Sequence, residues 1–195
     1  MWLVLGETAA EPNLLSMGGA MNEHRRFLEL FDALFVSNNK WMEVTPAEKL
    51  EWVPLDNPNM KFGDRISTIT IKSVYIHTIV GECGWARMLG ACKNGATLAP
   101  DLAQGKVLTE QLDKSSDLLG DTMRLHRENM KRFGDYDQHC LDKKIRWMDR
   151  DWSVMGFLWG IYSHRSYHLG NIDLLLREAD APAPDFFVNF RQVMA

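Results

Sequence analysis

The sequence is poor in the features that mark secreted, disulfide-bonded or membrane proteins. Its three cysteines, Cys83, Cys92 and Cys140, are odd in number and form no CxxC pair. Free thiols in a reducing compartment are therefore favoured over a disulfide framework. No apolar run is long enough to span a bilayer, and the short apolar stretch at residues 1–5 lacks the basic residues of a signal peptide. We expect a cytoplasmic protein with no membrane partner.

The chain also lacks an excess of positive charge. Its net charge is −4, whereas a general nucleic-acid-binding protein normally carries a basic face, so we expect no nucleic-acid partner. Of its 195 residues, 46% are hydrophobic and 25% are charged, which fits one globular domain with a substantial core. We predict a single domain over residues 22–195, preceded by an N-terminal extension over residues 1–21.

Several well-known catalytic motifs are missing as well. Neither HExxH nor Glu-x-x-His occurs, which argues against a zincin and against a di-iron carboxylate bundle. The sequence has no GxGxxG, GxxxxGK[ST] or GxSxG motif, so dinucleotide binding, a P-loop and an α/β-hydrolase are unsupported. The seven tryptophans are spread along the chain, a distribution more typical of core and interface anchors than of a base-stacking platform.

What the sequence does contain is helical periodicity in four long segments. These segments cover residues 22–39, 64–92, 109–133 and 151–179. The third has the clearest pattern, because apolar and charged residues recur on opposite faces at spacings of three and four. The pattern predicts an all-α four-helix bundle.

Two places along the chain need a more local interpretation. In the first connector, Thr45-Pro46-Ala47-Glu48 resembles a capping box with proline at the first helical position, which predicts a short extra helix. In the second segment, residues 66–71 alternate β-branched residues with threonine, as a strand would. We predict helix there, because the segment is too long for one strand and its second half has helical character.

The chemistry of the sequence is concentrated in its histidines. His164 and His168 are four residues apart in the fourth segment, so on a helix they lie on one face, close enough to bind one ion. His77 lies in the middle of the second segment, where a neighbouring helix of a bundle could supply a third ligand. Imidazole suits zinc, nickel, copper and iron, and catalytic sites typically combine three protein ligands with one open position. His77, His164 and His168 are therefore the predicted metal ligands.

Glycines lie close to these histidines in the helical periodicity. Gly156 and Gly160 share a row with the histidines of the fourth segment, and Gly81 and Gly84 follow the histidine of the second. Glycine inside a helix costs roughly 0.5–1 kcal/mol relative to alanine, so these positions indicate that space is needed. The space could serve a close approach of two helices or a cavity above the metal.

The histidines also have simpler interpretations. An i, i+4 pair by itself is more often a pair of satisfied or exposed histidines than a metal site. His126 falls on the apolar stripe of the third segment, where it could be a fourth ligand or replace His77. Such a residue is more often a core histidine with a hydrogen-bond partner. His24, beside two arginines, and His139, in a polar linker, are expected to be solvated.

The residues around the predicted ligands resemble the DinB/YfiT-like family. The last-helix motif of that family is approximately His-x-x-x-His-x-Gly-Gln, and here it reads His164-Arg-Ser-Tyr-His168-Leu-Gly-Asn171. The family's first ligand precedes acidic and tryptophan positions, as His77 precedes Glu82 and Trp85 here. The resemblance covers about residues 22–180. The sequence departs from the family at Leu169, where arginine is frequent, and at Asn171, where the family has glutamine. Any role of that arginine or glutamine in the family therefore does not carry over, whereas the ligands are unaffected.

The resemblance implies a bundle of four helices with an up-down-down-up connection, often in a homodimer. It also implies a divalent ion, zinc-like or nickel-like, on three histidines. Characterised relatives include thiol-dependent isomerases and S-transferases that use low-molecular-weight thiols. We therefore expect a metal-dependent enzyme with a small-molecule substrate, with thiol S-transfer as the favoured reaction.

A three-histidine ion can activate a thiol by lowering its pKa, but it can equally activate water for hydrolysis. The alternative from another class is a non-catalytic dimeric metal-binding or stress-response protein. Its ion would be structural, and a fourth protein ligand would normally close such a site. A fourth ligand from His126 or a cysteine favours this alternative, whereas an open fourth position favours the enzyme.

Overall fold

The computed structural model describes residues 22–53 and 69–185, so the predicted N-terminal extension lies outside the described residues. The helices and strands, in chain order, are α1 (Glu23–Val44), a 3-10 turn (Ala47–Lys49), α2 (Ile71–Ala91), β1 (Ala96–Thr97), α3 (Leu102–Asp113), α4 (Leu118–Gly134), α5 (Gln138–Asp142), β2 (Lys144–Trp147), β3 (Arg150–Ser153) and α6 (Val154–Glu178). None of these described helices is long and apolar enough to cross a membrane.

Four of the helices, α1, α2, α4 and α6, pack against one another and form a bundle. Their buried apolar side chains fill the space between them; fully buried members include Phe27, Phe31, Leu34, Val74, Tyr75, Phe133, Leu158 and Ile172. Helix α3 packs on α2, and the short α5 packs on α6. The predicted all-α four-helix bundle is confirmed, and a small sheet is added to it.

Helix α1 begins where the sequence predicts and ends later. The side chain of Asn22 caps it by accepting a hydrogen bond from the backbone N–H of Arg25. The helix continues to Val44, beyond the predicted end at residue 39. The capping box predicted at Thr45 is wrong, because the hydroxyl of Thr45 donates to the carbonyl of Trp41 instead. The short helix predicted next to it is present as the single 3-10 turn.

Helix α2 begins at Ile71, later than the predicted start at residue 64. Thr70 and Ser73 form a reciprocal capping box, in which each side chain accepts from the other's backbone N–H. Residues 64–68 lie outside the described part of the chain, and with them half of the segment, residues 66–71, in which a strand was the alternative. The helix ends at Ala91, and Gly95 in the following turn has a φ of 79°.

The third predicted segment, residues 109–133, is not one helix. It is divided into α3 and α4 by a break at residues 114–117. The side chain of Asp117 accepts from the N–H of Gly120 and so caps α4, while the hydroxyl of Ser115 donates to the carboxylate of Asp121. Short polar side chains of this kind compete with the helical backbone for its hydrogen bonds, which explains why the chain restarts here.

The small sheet is absent from the sequence prediction. Strand β1 pairs with β2 in parallel, and β2 pairs with β3 in an antiparallel hairpin. The two residues at its tip, Met148 and Asp149, both have positive φ, of 49° and 60°, which is the backbone of a type I′ turn. Because β3 takes residues 150–153, α6 begins at Val154, not at the predicted residue 151, and Ser153 caps it.

Candidate metal centre

Two bundle helices carry the predicted ligands to one place. His77 is near the middle of α2, and His164 and His168 are one turn apart on α6. Helices α2 and α6 pack directly against each other, which brings residues 87 positions apart in sequence into contact. His168 is buried, whereas His77 and His164 are half-buried. The predicted grouping of the three histidines is therefore present.

The ring nitrogens of the three histidines converge. The Nε2 atom of His164 lies 3.2 Å from Nε2 of His77 and 3.2 Å from Nε2 of His168. In a tetrahedral site with zinc–nitrogen bonds of about 2.0–2.1 Å, neighbouring nitrogens are roughly 3.3 Å apart. The one ligand atom that each histidine offers lies within 4.8 Å of the other two, and within residues 22–53 and 69–185 no further histidine, cysteine or carboxylate joins the group.

The electrostatics of the cluster favour neutral imidazole. Burial in the protein, together with the smaller effects of the neighbouring His77 and Arg165, lowers the pKa of His168 to about 4. A neutral ring leaves a nitrogen lone pair available at neutral pH, and a metal requires that form of its ligand. The donor set therefore fits a divalent ion of the kind that imidazole prefers.

The fourth histidine of the bundle, His126, does not reach the cluster. It is buried on α4, where its Nδ1 donates to a carboxylate oxygen of Glu82 at 2.8 Å and its Nε2 lies 3.3 Å from Asp32. Its ring stacks on Phe35, with ring centroids 3.8 Å apart. Burial alone lowers the pKa of His126, but the charge of Glu82 and the hydrogen bonds to Asp32 and Glu82 outweigh it, so the net shift is upward. The interpretation of His126 as a core histidine with a hydrogen-bond partner is confirmed.

Sequence reasoning missed the buried polar network around Glu82. One carboxylate oxygen of Glu82 accepts from His126 and from the amide of Asn129 at 3.0 Å, and the other pairs with the guanidinium of Arg165. Arg165 also donates to the side chain of Asn38 at 3.1 Å. Glu82 and Arg165 are each only 1% exposed, so this ion pair joins α2 and α6 inside the core. The only sequence signal was a charged residue on the apolar face of each helix.

The network acts on the histidine cluster through the helices that carry it. Arg165 is the residue next to His164, and its guanidinium packs over the rings of Phe31 and Phe35 on α1. Anchoring Arg165 in the core fixes the rotation of α6 about its own axis. His164 and His168 are thereby turned toward His77.

One of the four glycines has a clear reason to be glycine. A Cβ atom on Gly81 would lie 3.3 Å from the ring of Trp85 and 3.8 Å from Cε1 of His164. The Trp85 ring stands edge-on to the ring of His164, with centroids 4.8 Å apart. Gly81 therefore makes room for a tryptophan beside a predicted ligand, whereas a Cβ on Gly84 would meet nothing within 4 Å.

A cavity of about 800 Å³ lies next to the cluster. It is lined by Trp85, Leu98, Ala99, Pro100, Trp147, Met148, Arg150, Trp152, Phe157, Gly160, Ile161 and His164. Its walls come from α2, α6, the segment after β1 and the β2–β3 hairpin. The glycines could serve a close approach of two helices or a cavity. Gly160 lines this cavity, so the second role applies to it.

The remaining histidines differ from each other. His24 is half-buried and its Nε2 contacts the carbonyl oxygen of Phe133 at 2.9 Å, so the expectation that it is solvated is wrong. His139 is exposed on α5, as expected. Neither residue lies in the metal-binding group.

Comparison with known proteins gives one informative match. No protein-family model matches the sequence, and no curated protein matches it either. A solved structure does match: YfiT from Bacillus subtilis, described as a probable metal-dependent hydrolase with an unusual four-helix bundle topology. The TM-score is 0.60 at 13% sequence identity, and the match covers 90% of this chain and 95% of that chain.

This chain has the fold of YfiT. The resemblance carried by the histidine motif is thus confirmed at the level of the fold. At this degree of identity, the similarity says nothing further about activity, substrate or assembly, and those have to be argued from the site itself.

Proposed function

We propose that this protein is a metal-dependent enzyme in which His77, His164 and His168 hold one divalent ion. The observation that carries the proposal is the convergence of three Nε2 atoms beside a cavity that one of the three residues lines. The spacing of the nitrogens and the lowered pKa of His168 both suit imidazole ligation. Zinc or nickel is the ion that we expect, because both are borderline metals that bind imidazole well.

The site supports an enzyme better than a structural ion. A structural zinc site is normally closed by four protein ligands. His126, the residue that could have closed this one, is held by Glu82 on another side of the bundle. None of the three cysteines joins the histidine group either. With three ligands from the described part of the chain, one position would remain for water or a substrate.

The reaction that we propose is the activation of a small nucleophile. A bound divalent ion of this kind lowers the pKa of a coordinated water or thiol, which generates the nucleophile at neutral pH. A low-molecular-weight thiol would make the protein an S-transferase, our favoured specific activity, while water would make it a hydrolase. The latter agrees with the description given to YfiT. The chain's own contribution is to orient the three imidazoles, and the cavity beside His164 would receive the second substrate.

The experiment combines metal analysis with a nucleophile test. Protein purified without an affinity tag should contain close to one divalent ion per chain by elemental analysis. The loaded protein is then incubated with an apolar electrophile and an ester, each with and without small thiols. Acceleration only in the presence of a thiol supports S-transfer, and acceleration without one supports hydrolysis.

The matched controls for this experiment are two histidine variants. His168→Ala should lose both the ion and the acceleration, while His139→Ala, at an exposed position outside the cluster, should keep both. Equal activity of the two variants would overturn the assignment of the site. The expected homodimer also stays a prediction, and sedimentation of the same preparations tests it.

A further inference from the structure

The cavity beside His164 has aromatic walls with a common geometry. Phe157 lines it, and three tryptophan rings contact the Phe157 ring edge-on. The centroid distances from Phe157 are 6.2 Å to Trp85, 5.8 Å to Trp147 and 5.7 Å to Trp152, with interplanar angles of 82°, 74° and 89°. Aromatic pairs favour such edge-to-face contacts, so the walls are held in place by one another. A cavity of about 800 Å³ falls within the range of small-molecule sites, roughly 300–1,000 Å³.

The hairpin supplies one wall through the register of its strands. Trp147 pairs with Arg150, and Ile145 pairs with Trp152. Side chains two residues apart on a strand share a face, and so do directly opposite partners. These four residues therefore project from the same face of the hairpin. Ile145 is 1% exposed and belongs to the core of the bundle, so this face is the inner one.

An arginine on that inner face is unexpected for a wall of tryptophans. Arg150 lines the cavity, and within the described part of the chain no ion pair with a carboxylate involves it. The other arginine of the hairpin, Arg146, lies on the outer face, where its guanidinium is 3.4 Å from the carboxylate of Asp151. No aspartate or glutamate is among the described residues that line the cavity. The cavity thus combines apolar aromatic walls with one positive charge from Arg150.

We propose that this cavity binds the substrate as a flat, apolar molecule that carries a carboxylate or a similar anionic group. The tryptophan walls cover the flat body, Arg150 binds the anion, and the reactive end lies toward His164. The assignment of the molecule as a substrate rests on the proposed function, whereas its binding by the cavity does not require an ion.

A cationic ligand is the main competitor for aromatic walls. Tryptophan faces attract quaternary ammonium groups, and cages of several aromatic rings bind them. Here the charge of Arg150 would repel such a cation, and no carboxylate among the described lining residues would offset that repulsion. An arginine guanidinium, by contrast, binds a carboxylate through two parallel hydrogen bonds.

The test measures binding of three probes that share a naphthalene body and carry an anionic, a neutral or a cationic group. They are 2-naphthoate, naphthalene-2-methanol and a naphthylmethyl-trimethylammonium salt, with acetate as an anion that has no apolar body. Dissociation constants are measured by calorimetry on the full chain, first loaded with zinc and then after treatment with a chelator. The chelated protein matters because a carboxylate could otherwise bind the ion.

We expect chelated protein to bind 2-naphthoate at least about tenfold more tightly than the alcohol or the cation. Acetate should bind at least about a hundredfold more weakly than naphthoate, because it buries little apolar surface. Arg150→Gln should abolish the preference for naphthoate over the alcohol. Arg146→Gln, the same change on the outer face of the same hairpin, should leave it intact.

Three results would overturn the inference: equal binding of the three naphthalene probes, tighter binding of the cation, or a preference that survives Arg150→Gln. Arg150 and Arg146 are both exposed, so neither change should unfold the protein, and circular dichroism checks this. Repeating the titrations with His168→Ala separates the two proposals. An intact naphthoate preference in a variant that holds no ion shows that the cavity inference stands by itself. If wild-type protein holds its ion but shows no preference for naphthoate, the cavity inference is refuted and the proposed metal site is not.

Discussion

Replacing Glu82 by glutamine tests whether the buried network holds the bundle together. The carboxylate of Glu82 faces two buried partners that carry or can carry positive charge, Arg165 and His126, and accepts from Asn129 as well. Glutamine has nearly the same shape, so no cavity is created. What the substitution removes is the negative charge, and Arg165 is left in the core without its counter-charge.

The expected loss is large for a single conservative change. Removing one partner of a buried ion pair costs about 3–5 kcal/mol, because the remaining charge stays buried without compensation. For a chain of this size, each kcal/mol corresponds to roughly 2–4 °C in Tm. Glu82→Gln should therefore lower the Tm by roughly 6–20 °C. If Arg165 moved toward solvent, the loss in Tm would lie at the lower end of this range. The rings of Phe31 and Phe35, over which Arg165 packs, oppose that movement.

The assays are thermal denaturation for the Tm and urea denaturation for the free energy of unfolding. Both are followed by circular dichroism on protein treated with a chelator, so that metal binding does not contribute. Glu29→Gln is the matched control. It makes the same chemical change in an ion pair of 2.9 Å with Arg25, but both of those side chains are largely exposed. Exposed pairs contribute about 0–1 kcal/mol. If Glu82→Gln lost no more stability than Glu29→Gln, the network would not have the role assigned to it.

The stability difference between wild type and Glu82→Gln should depend on pH with a definite sign. Burial alone raises the pKa of Glu82, but the charges of His126 and Arg165 outweigh it and the net shift is downward. Its contribution is therefore present above the unfolded pKa of about 4.3 and lost in stronger acid. The pKa of His126 is raised, so its contribution is complete below about 6.5 and fades as the pH rises through its folded value. The difference in the free energy of unfolding between wild type and Glu82→Gln should be greatest between these two pH limits. In alkali it should be smaller but not zero, because Arg165 remains charged.

Three further predictions concern the histidine cluster and the break between α3 and α4. His164→Ala and His168→Ala should each abolish tight metal binding, measured by elemental analysis. Both should keep most of the helical circular dichroism, because the core does not need the ion. Stoichiometric metal retained in both variants would refute the site. Metal release should set in as the pH falls, because protons compete for imidazoles and the folded site keeps the pKa of His168 at about 4; an indicator titration should show a steeper slope for wild type than for His77→Ala. Asp117→Ala removes the cap of α4 and should lower the free energy of unfolding by about 1 kcal/mol. Urea denaturation measures this loss against Asp142→Ala, which changes an exposed aspartate that accepts from the side chain of Gln138.

The histidine cluster could be predicted from the sequence because most of its pattern is local. A separation of four residues places His164 and His168 on one face of any helix, whatever the rest of the chain does. His77 required a second assumption, that its helix neighbours theirs, which the family resemblance supplied. The four bundle helices followed from periodicity for the same reason, since apolar stripes are properties of single segments.

The elements that were missed depend on local chemistry or on distant partners. The break at residues 114–117 interrupts a face whose periodicity continues beyond it, and only the capping by Asp117 reveals it. The hairpin has Met148-Asp149 at its tip, not the Asn-Gly or Asp-Gly pair that normally indicates a type I′ turn. The three partners of Glu82 lie 44, 47 and 83 residues away. No pattern within one segment could have joined them.

The arrangement of α6 explains how three histidines from two helices converge on one point. His164 and Arg165 are adjacent, so their side chains leave the helix about 100° apart. One points toward His77 and the other toward Glu82, and both partners lie on α2. The ion pair fixes the rotation of α6 with side chains that are not ligands, and the convergence of the ring nitrogens follows from that rotation. An ion that bound there would have little to reorganise, so we expect the stability of the fold to depend little on occupancy of the site.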